Sequence, residues 1–119
     1  MGEYEDLAVW HRGRQIVVLI YNQTKSFPKS EQFGIAGQMR RAAVSVVAHV
    51  AEGCARASWS EFAHFVKIAR GSAAELETLL VIASDIGLID SETAEAIRSE
   101  VRGLRRMLHA LHKNLKRRV

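Results

Sequence analysis

Two short motifs contain residue types that could bind metal ions. Glu61 and His64 are three positions apart, as are His49 and Glu52. Residues at this spacing project from one side of a helix, and some four-helix bundles hold two metal ions with a pair of Glu-x-x-His motifs. Such a site also takes a glutamate from each of the other two helices. Here the second motif is reversed and the first helical segment has no core-facing glutamate, so we predict no metal site and no cofactor.

Glu61 has a simpler role at the start of a helix. Ser58-Trp59-Ser60-Glu61 is a capping box, in which the serine oxygen and the glutamate carboxylate each satisfy an amide that the first turn leaves unpaired. We then expect His64 on the helix surface or at a contact between subunits.

The single cysteine, Cys54, could act as a nucleophile with a histidine partner, but the sequence supplies no third group to orient such a pair. A lone cysteine on an apolar helix behaves more often as a small buried hydrophobic residue. The sequence contains no Ser-His-Asp arrangement, phosphate-binding loop or dinucleotide-binding fingerprint. We predict that the protein is not an enzyme.

Length and composition favour one domain covering residues 1–119. At 119 residues the chain is long enough for one core but too short for two, and its 48% hydrophobic residues are typical of a globular protein. No apolar run approaches the ~20 residues that span a bilayer, and one cysteine excludes an internal disulfide. The acidic start, MGEYEDLAVW, lacks the basic and apolar segments of a signal peptide. We expect a cytoplasmic protein with no membrane association.

Helical periodicity and end signals divide the chain into four helices, at about residues 6–25, 31–53, 59–86 and 91–116. Ser30 is expected to cap the second helix, and Gly53 to stop or kink it. Gly87 closes the third helix, and Asp90 or Ser91 caps the fourth. Because the connections are only a few residues long, we predict an all-α fold, an antiparallel up-down-up-down four-helix bundle.

Two of the helices are apolar on more than one side. Helix one is apolar all round from Ile16 to Tyr21, and helix three carries a second apolar stripe. The stripe consists of Phe65, Ile68, Leu79, Ile82 and Ile86. A helix that is apolar all round must be buried all round, which a subunit this small cannot achieve alone. We therefore predict a homo-oligomer.

Six charged residues lie on otherwise apolar stretches of helices two and three. They are Arg40, Arg41, Glu52, Arg70, Glu75 and Glu77. Because charges on packed helices persist when they are paired, we predict structural ion pairs that tie helix two to helix three. The alternative is that the arginines bind phosphate.

The net charge of +4 comes from the C-terminal end. Seven of the 17 Lys and Arg residues lie at or after position 102, where there is no acid, whereas the other ten are outnumbered by 13 acids. The seven are Arg102, Arg105, Arg106, Lys113, Lys116, Arg117 and Arg118. On one subunit they form a solvated face, but repeated around an oligomer they would bind the backbone of RNA or DNA without reading its sequence. The alternative function is a scaffold that docks an acidic protein partner.

Nearly the whole chain resembles a known family. The stretches that carry the resemblance are YEDLAVW, IYNQTKSFP, QMRRAAVSVVAHVAEG and SWSEFAHFVKIARGSAAELETLLVIASDIGLI. In this order they are similar to the four-helix-bundle proteins encoded within intervening sequences of bacterial large-subunit ribosomal RNA genes, labelled S23-type. The resemblance implies an antiparallel bundle that assembles into a pentameric ring. It also implies kinship with the accessory variability proteins of diversity-generating retroelements, which bind a reverse transcriptase and nucleic acid.

The resemblance transfers no catalytic residue to this chain. The positions that match the family pattern are Arg40, Arg41, Ser45, Glu52, Gly53, Glu61, Gly71, Ser72, Glu75 and Glu77. Where the family commonly has proline followed by Ala-Asn, this chain has Val47, Ala48 and His49. We therefore expect a straighter second helix, with the imidazole of His49 meeting the group that an asparagine would bind.

Overall fold

Apolar residues three and four positions apart fold most of the chain into α-helices. The computed structural model describes residues 2–119, and within this range it contains no β-strand. The four helices are α1 (Ala8–Thr24), α2 (Ile35–Ala55), α3 (Trp59–Asp85) and α4 (Ser91–Lys116). Short 3₁₀ turns at Tyr4–Asp6 and Lys29–Glu31 precede α1 and α2.

Consecutive helices run antiparallel. The hydroxyl of Thr24, at the end of α1, accepts a hydrogen bond from Arg40, near the start of α2. The end of α2 lies against the start of α3, and Arg118, just beyond α4, lies over the ring of Trp59 at the start of α3. The prediction of an all-α, antiparallel up-down-up-down four-helix bundle is confirmed. The bundle measures 45 × 21 × 19 Å.

α3 has the most extensive helix contacts, because it packs along both α2 and α4, whereas α1 packs mainly on α2. Large side chains of α3 such as Leu76 and Leu80 are fully buried, and Leu104 and Leu108 of α4 meet them in the same core. The heptad spacing on α4 thus supplies a leucine seam that removes apolar surface from water.

The sequence predicts that Gly53 stops or kinks α2. In the structure the helix continues past Gly53, which lies buried within it. A Cβ atom at this position would come within 2.6 Å of the Cβ of Phe65 and 3.3 Å of the carbonyl oxygen of Phe62. The absence of a side chain therefore lets the backbones of α2 and α3 approach closely. Ala42, three turns earlier on the same face of α2, is also small and buried.

The start of α2 also differs from the prediction. The helix begins at Ile35 rather than at residue 31, and Gly34, not Ser30, precedes it. The side-chain amide of Gln32 donates to the carbonyl oxygens of Phe27 (2.8 Å) and Thr24 (3.1 Å) at the end of α1. These bonds satisfy carbonyls that a helix end leaves unpaired, so residues 29–33 form a separate turn held against α1.

Side chains cap the other two helix starts. The Oγ of Ser58 accepts from the amide of Glu61 at 3.1 Å, as the capping box predicts. The Glu61 carboxylate accepts from the Ser58 hydroxyl, 3.2 Å away, instead of from its amide. At α4 the cap is Asp90, whose carboxylate accepts from the amide of Thr93 at 2.8 Å. This hydrogen bond lowers the pKa of Asp90, because it favours the ionised form.

Candidate nucleic-acid interface

Two of the seven basic residues at the C-terminal end are held by carboxylates of the protein itself. The Nε of Arg105 lies 2.6 Å from Oε2 of Glu77, and the Nε of Arg102 lies 3.6 Å from its Oε1. Glu77, on α3, is only 8% exposed. Arg102 also approaches Glu95, at 3.8 Å. These arginines therefore clamp α4 to α3, and their charge is largely neutralised.

The other five basic residues of this end are exposed. They are Arg106, Lys113, Lys116, Arg117 and Arg118. None of them forms a salt bridge with any residue of the range 2–119. The guanidinium of Arg118 lies 4.7 Å from the centre of the Trp59 ring, which ties the C-terminal end to α3 through a cation–π contact.

α3 contributes the second half of this basic surface. Lys67 is exposed, and Arg70 is half-buried with an Nε atom that is inaccessible and has no hydrogen-bond partner among the described residues. α3 has no acid between Glu61 and Glu75, and this stretch lies beside the acid-free end of α4. We call this surface the α3–α4 basic face; its members are Lys67, Arg70, Arg106, Lys113, Lys116, Arg117 and Arg118.

Lys67 was not among the residues predicted from the sequence, and Arg70 was predicted to form an ion pair between helices two and three. The signal that could have found them is the pairing of two acid-free stretches. In an antiparallel hairpin of α3 and α4, residues 62–74 must lie beside the segment after position 100, so their charges add. Neither stretch is informative without the register between the two helices.

A cleft of about 360 Å³ opens within the basic face, between α3 and α4. It is lined by Ser60, Ala63, His64, Lys67, His112 and Lys116. Burial lowers the pKa of His112 most, and four positively charged side chains lower its pKa further. They are Arg70, Lys116, Lys67 and His109. The electrostatic potential at the imidazole is therefore positive.

The six charges predicted to tie helix two to helix three do not do so. Within residues 2–119 no salt bridge joins α2 to α3, so this prediction is wrong. Glu52 pairs with Arg56 on its own helix, and Glu77 pairs across to α4. Arg41 and Glu75 are exposed. The physical reason is the close approach of the two backbones at Gly53, which leaves no room for long side chains between them.

Arg40 contacts α1 instead of α3. Its Nε donates to the Thr24 hydroxyl at 2.8 Å, and its guanidinium lies 5.1 Å from the centre of the Tyr21 ring. Thr24 is fully buried and in turn donates to the carbonyl oxygen of Ile20 at 2.8 Å. A cation at the C-terminal end of α1 also complements the negative end of the helix dipole.

Hydroxyl groups join α2 to α3 where ion pairs were expected. The Oγ atoms of Ser45 and Ser72 are 2.9 Å apart, and Nδ1 of His49 lies 3.0 Å from the Ser45 Oγ. The same Nδ1 lies 2.8 Å from the Ser45 carbonyl oxygen, which can only accept a proton. Nδ1 is therefore a donor, and it cannot serve as the base that would activate Ser45.

Cys54 is 4% exposed, and burial raises the pKa of its thiol. The thiolate is the nucleophilic form, so the buried thiol is poorly suited to attack a substrate. Among residues 2–119, no group of three or more His, Cys, Asp or Glu side chains is arranged to hold a metal ion. No helix in this range is long and apolar enough to cross a membrane.

Comparison with known proteins places the chain in a family. Residues 5–110 match the family model described as 23S rRNA-intervening sequence protein. The chain belongs to this family. The resemblance to the S23-type family is thereby confirmed, and the family description names no enzymatic activity.

The fold of the family member also matches a solved structure. This is a protein of unknown function from the S23 ribosomal protein family of Bacteroides thetaiotaomicron VPI-5482, determined at 1.70 Å resolution. The TM-score is 0.81 with 23% identity, and the match covers 88% of this chain and 95% of that chain. At this identity the likeness shows the fold alone. Among curated proteins, none matches the chain.

Proposed function

We propose that this 23S rRNA-intervening sequence protein is a non-enzymatic homo-oligomer that binds the phosphate backbone of RNA or DNA through the α3–α4 basic face. The observation that carries the proposal is the absence of acids from this face, combined with the exposure of five of its members on α4 and just beyond its end. Lysine and arginine side chains release counterions when they contact phosphate, and this release drives binding without base readout. Aromatic residues are sparse on α4, so base stacking contributes little.

Exposed apolar residues support self-association. Phe33 is 95% exposed, and with Tyr21 and Val44 it lines a groove of about 610 Å³ between α1 and α2. Val18 of α1, 60% exposed, and Ile86 beyond the end of α3, 57% exposed, add further apolar surface. Val18 and Tyr21 belong to the all-round apolar segment of helix one, and Ile86 belongs to the second apolar stripe predicted for helix three. The number of five subunits comes from the family resemblance, and in a ring the basic faces would repeat around the axis.

Binding is tested by gel shift of a labelled RNA and a labelled DNA duplex at rising salt. We expect a complex at low salt whose affinity falls steeply with salt. Changing Lys113 and Lys116 to Gln should reduce the salt slope by about 0.7–0.9 for each phosphate that the variant no longer neutralises. The matched control changes Lys25 and Lys29 to Gln, since both are exposed but lie at the α1–α2 turn.

Absence of a complex with either nucleic acid at low salt would overturn the binding proposal. Capture of an acidic protein that survives nuclease treatment, with no direct RNA or DNA binding, would favour the protein scaffold instead. Equal effects of the two multiple variants would show that net charge, and not the basic face, drives the interaction.

Self-association is tested by light scattering, which should give a mass close to five times the 13.3 kDa subunit. Phe33→Ser should weaken the assembly, because it removes the most exposed apolar side chain of the groove. Val119→Ser is the control, since Val119 is also exposed, at 67%, but lies at the end of the chain after α4. A 13.3 kDa species for the unmodified protein would refute the ring.

A further inference from the structure

The cleft in the basic face contains histidines that backbone binding alone does not require. His64 and His112 line it from α3 and α4, and His109 lies three positions before His112. Histidine is the side chain whose ordinary pKa brings a charge change close to neutral pH. The lysine and arginine side chains around the cleft stay positive near neutral pH, so the histidines are the groups through which the charge of the cleft depends on pH.

Both charged side chains that line the cleft, Lys67 and Lys116, carry ammonium donors, and no carboxylate lines it. The hydroxyl of Ser60 can donate as well, and Arg70, beside the cleft, adds a positive charge that acts on His112. Every charged group that acts on His112 from α3 or from α4 is positive. A set of converging donors without a carboxylate fits a tetrahedral oxyanion such as a phosphate group.

We propose that the α3–α4 cleft is a phosphate-binding subsite in which binding of the phosphate is coupled to uptake of a proton by His112. This inference rests on the proposed function, and it assigns one phosphate group of the bound nucleic acid to a defined place. In the free protein, burial and the neighbouring positive charges favour the neutral imidazole of His112. An anion in the cleft offsets the surrounding positive charges and stabilises the imidazolium, which then donates a hydrogen bond to the anion.

The coupling fixes the sign of the pH dependence. In the free protein the pKa of His112 lies below its ordinary value of 6.5. An anion nearby raises the pKa, because an opposite charge favours the ionised form. Binding is therefore tightest below the pKa of the free protein and weakens as the pH rises through that of the complex. Each unit by which the two pKa values differ corresponds to tenfold in affinity.

The direct test is an NMR titration of the five histidines in sulfate and in chloride at equal ionic strength. Sulfate serves as the probe because it stays doubly charged throughout the range in which imidazole titrates. We expect the pKa of His112 to rise in sulfate, while that of His11, at the start of α1, stays the same in both salts. Identical titration of His112 in sulfate and chloride would overturn the subsite.

The second test measures RNA affinity of the unmodified protein, His112→Gln and His11→Gln between about pH 5.5 and 7.5. We expect affinity for the unmodified protein and for His11→Gln to rise about tenfold towards the acidic end, as a shift of one pKa unit requires. His112→Gln should lose most of this rise. Circular dichroism establishes whether His112→Gln folds, and if it does not, the titration of the unmodified protein decides.

The two proposals fail separately. Salt-dependent RNA binding with the same pH slope in the unmodified protein and His112→Gln would overturn the subsite and leave the proposed function intact. A sulfate-dependent rise in the pKa of His112 without any nucleic-acid binding would retain an anion site and overturn the proposed function.

Discussion

The two sides of α3 differ in how they hold their neighbours. Towards α2 the two helix backbones approach closely, and the contact consists of small uncharged groups: Gly53, alanines and the Ser45–Ser72 pair. Towards α4 it is built from large aliphatic side chains and from Glu77, which holds two arginines. The first side depends on steric fit and should be intolerant of added volume. The second depends on side-chain chemistry and leaves a positively charged cleft open to solvent.

The largest expected effect is that of Gly53→Ala. Its added methyl group would meet the Cβ of Phe65 at 2.6 Å and the carbonyl oxygen of Phe62 at 3.3 Å, so the helices must separate. We expect a loss of about 3 kcal/mol in the free energy of unfolding, measured by chemical denaturation, as for other overpacked contacts.

Gly71→Ala is the matched control, because a Cβ there meets nothing within 4 Å. It lies in the same bundle, within α3, and should gain about 0.5–1 kcal/mol through a better helix propensity. If both variants lost equal stability, the close approach of the backbones would not be a special feature of the α2 side.

The α4 side is tested by Glu77→Gln. Removing the charge leaves Arg105 without an acid and Arg102 with only Glu95, at 3.8 Å, and we expect a loss of about 1–3 kcal/mol. This is below the range for fully buried pairs, because the arginine side chains are 35% and 43% exposed. Freed from Glu77, the two arginines should also strengthen RNA binding in the gel shift.

Glu95→Gln provides the comparison, since Glu95 contacts Arg98 and Arg102 with a side chain that is 57% exposed. It should change stability by less than about 0.5 kcal/mol. A loss as large as that of Glu77→Gln would mean that surface charge, and not the buried carboxylate, secures α4.

A smaller effect on stability is expected at the start of α3, the segment common to the α2–α3 and α3–α4 contacts. Ser58→Ala removes the acceptor of the Glu61 amide and should cost about 1 kcal/mol. Ser60→Ala is the control, because Ser60 lies in the first turn and makes no capping bond within the described residues. Thermal unfolding of the two variants would separate the cap from a general effect of losing a hydroxyl.

The smallest effect concerns pH. Because the pKa of His112 is lowered in the folded state, the unfolded chain binds more protons below about pH 6.5. Stability should therefore be constant with respect to this group above pH 6.5 and fall as the pH drops towards its folded-state pKa. His112→Gln should melt with a weaker pH dependence between about pH 5 and 7.5, a range in which Asp90 stays ionised.

Local signals in the sequence predicted those parts of the fold that depend on neighbouring positions. The Ser58 cap, the leucine seam of α4 and Gly87, which has a φ of +81°, follow from short spacings. The start of α2 does not follow from short spacings, because the side-chain amide of Gln32 donates to carbonyl oxygens eight and five positions earlier. A local reading favoured Ser30 as the cap and could not include that contact.

The charged residues were harder to place, because pairing depends on which helix faces which. Glu77 was assigned to the α2 side although it points to α4, and Arg70 was assigned to an ion pair although it lies at the cleft. Spacing along one helix specifies a face but not the neighbour that covers it. The register between α3 and α4, which brings Lys67 beside His112, emerges only once the bundle is assembled.

The unequal sharing of α1 between its neighbours bears on how the bundle opens. α1 packs mainly against α2. Its salt bridge to α4, between Arg12 and Glu100 at 2.8 Å, has both side chains exposed to water. Partial unfolding should therefore start by peeling α1 away, while α3 keeps partners on either flank. Amide hydrogens of α1 would then exchange with solvent faster than those of α3. If a second subunit covered the α1–α2 groove, this difference in exchange rate would become smaller.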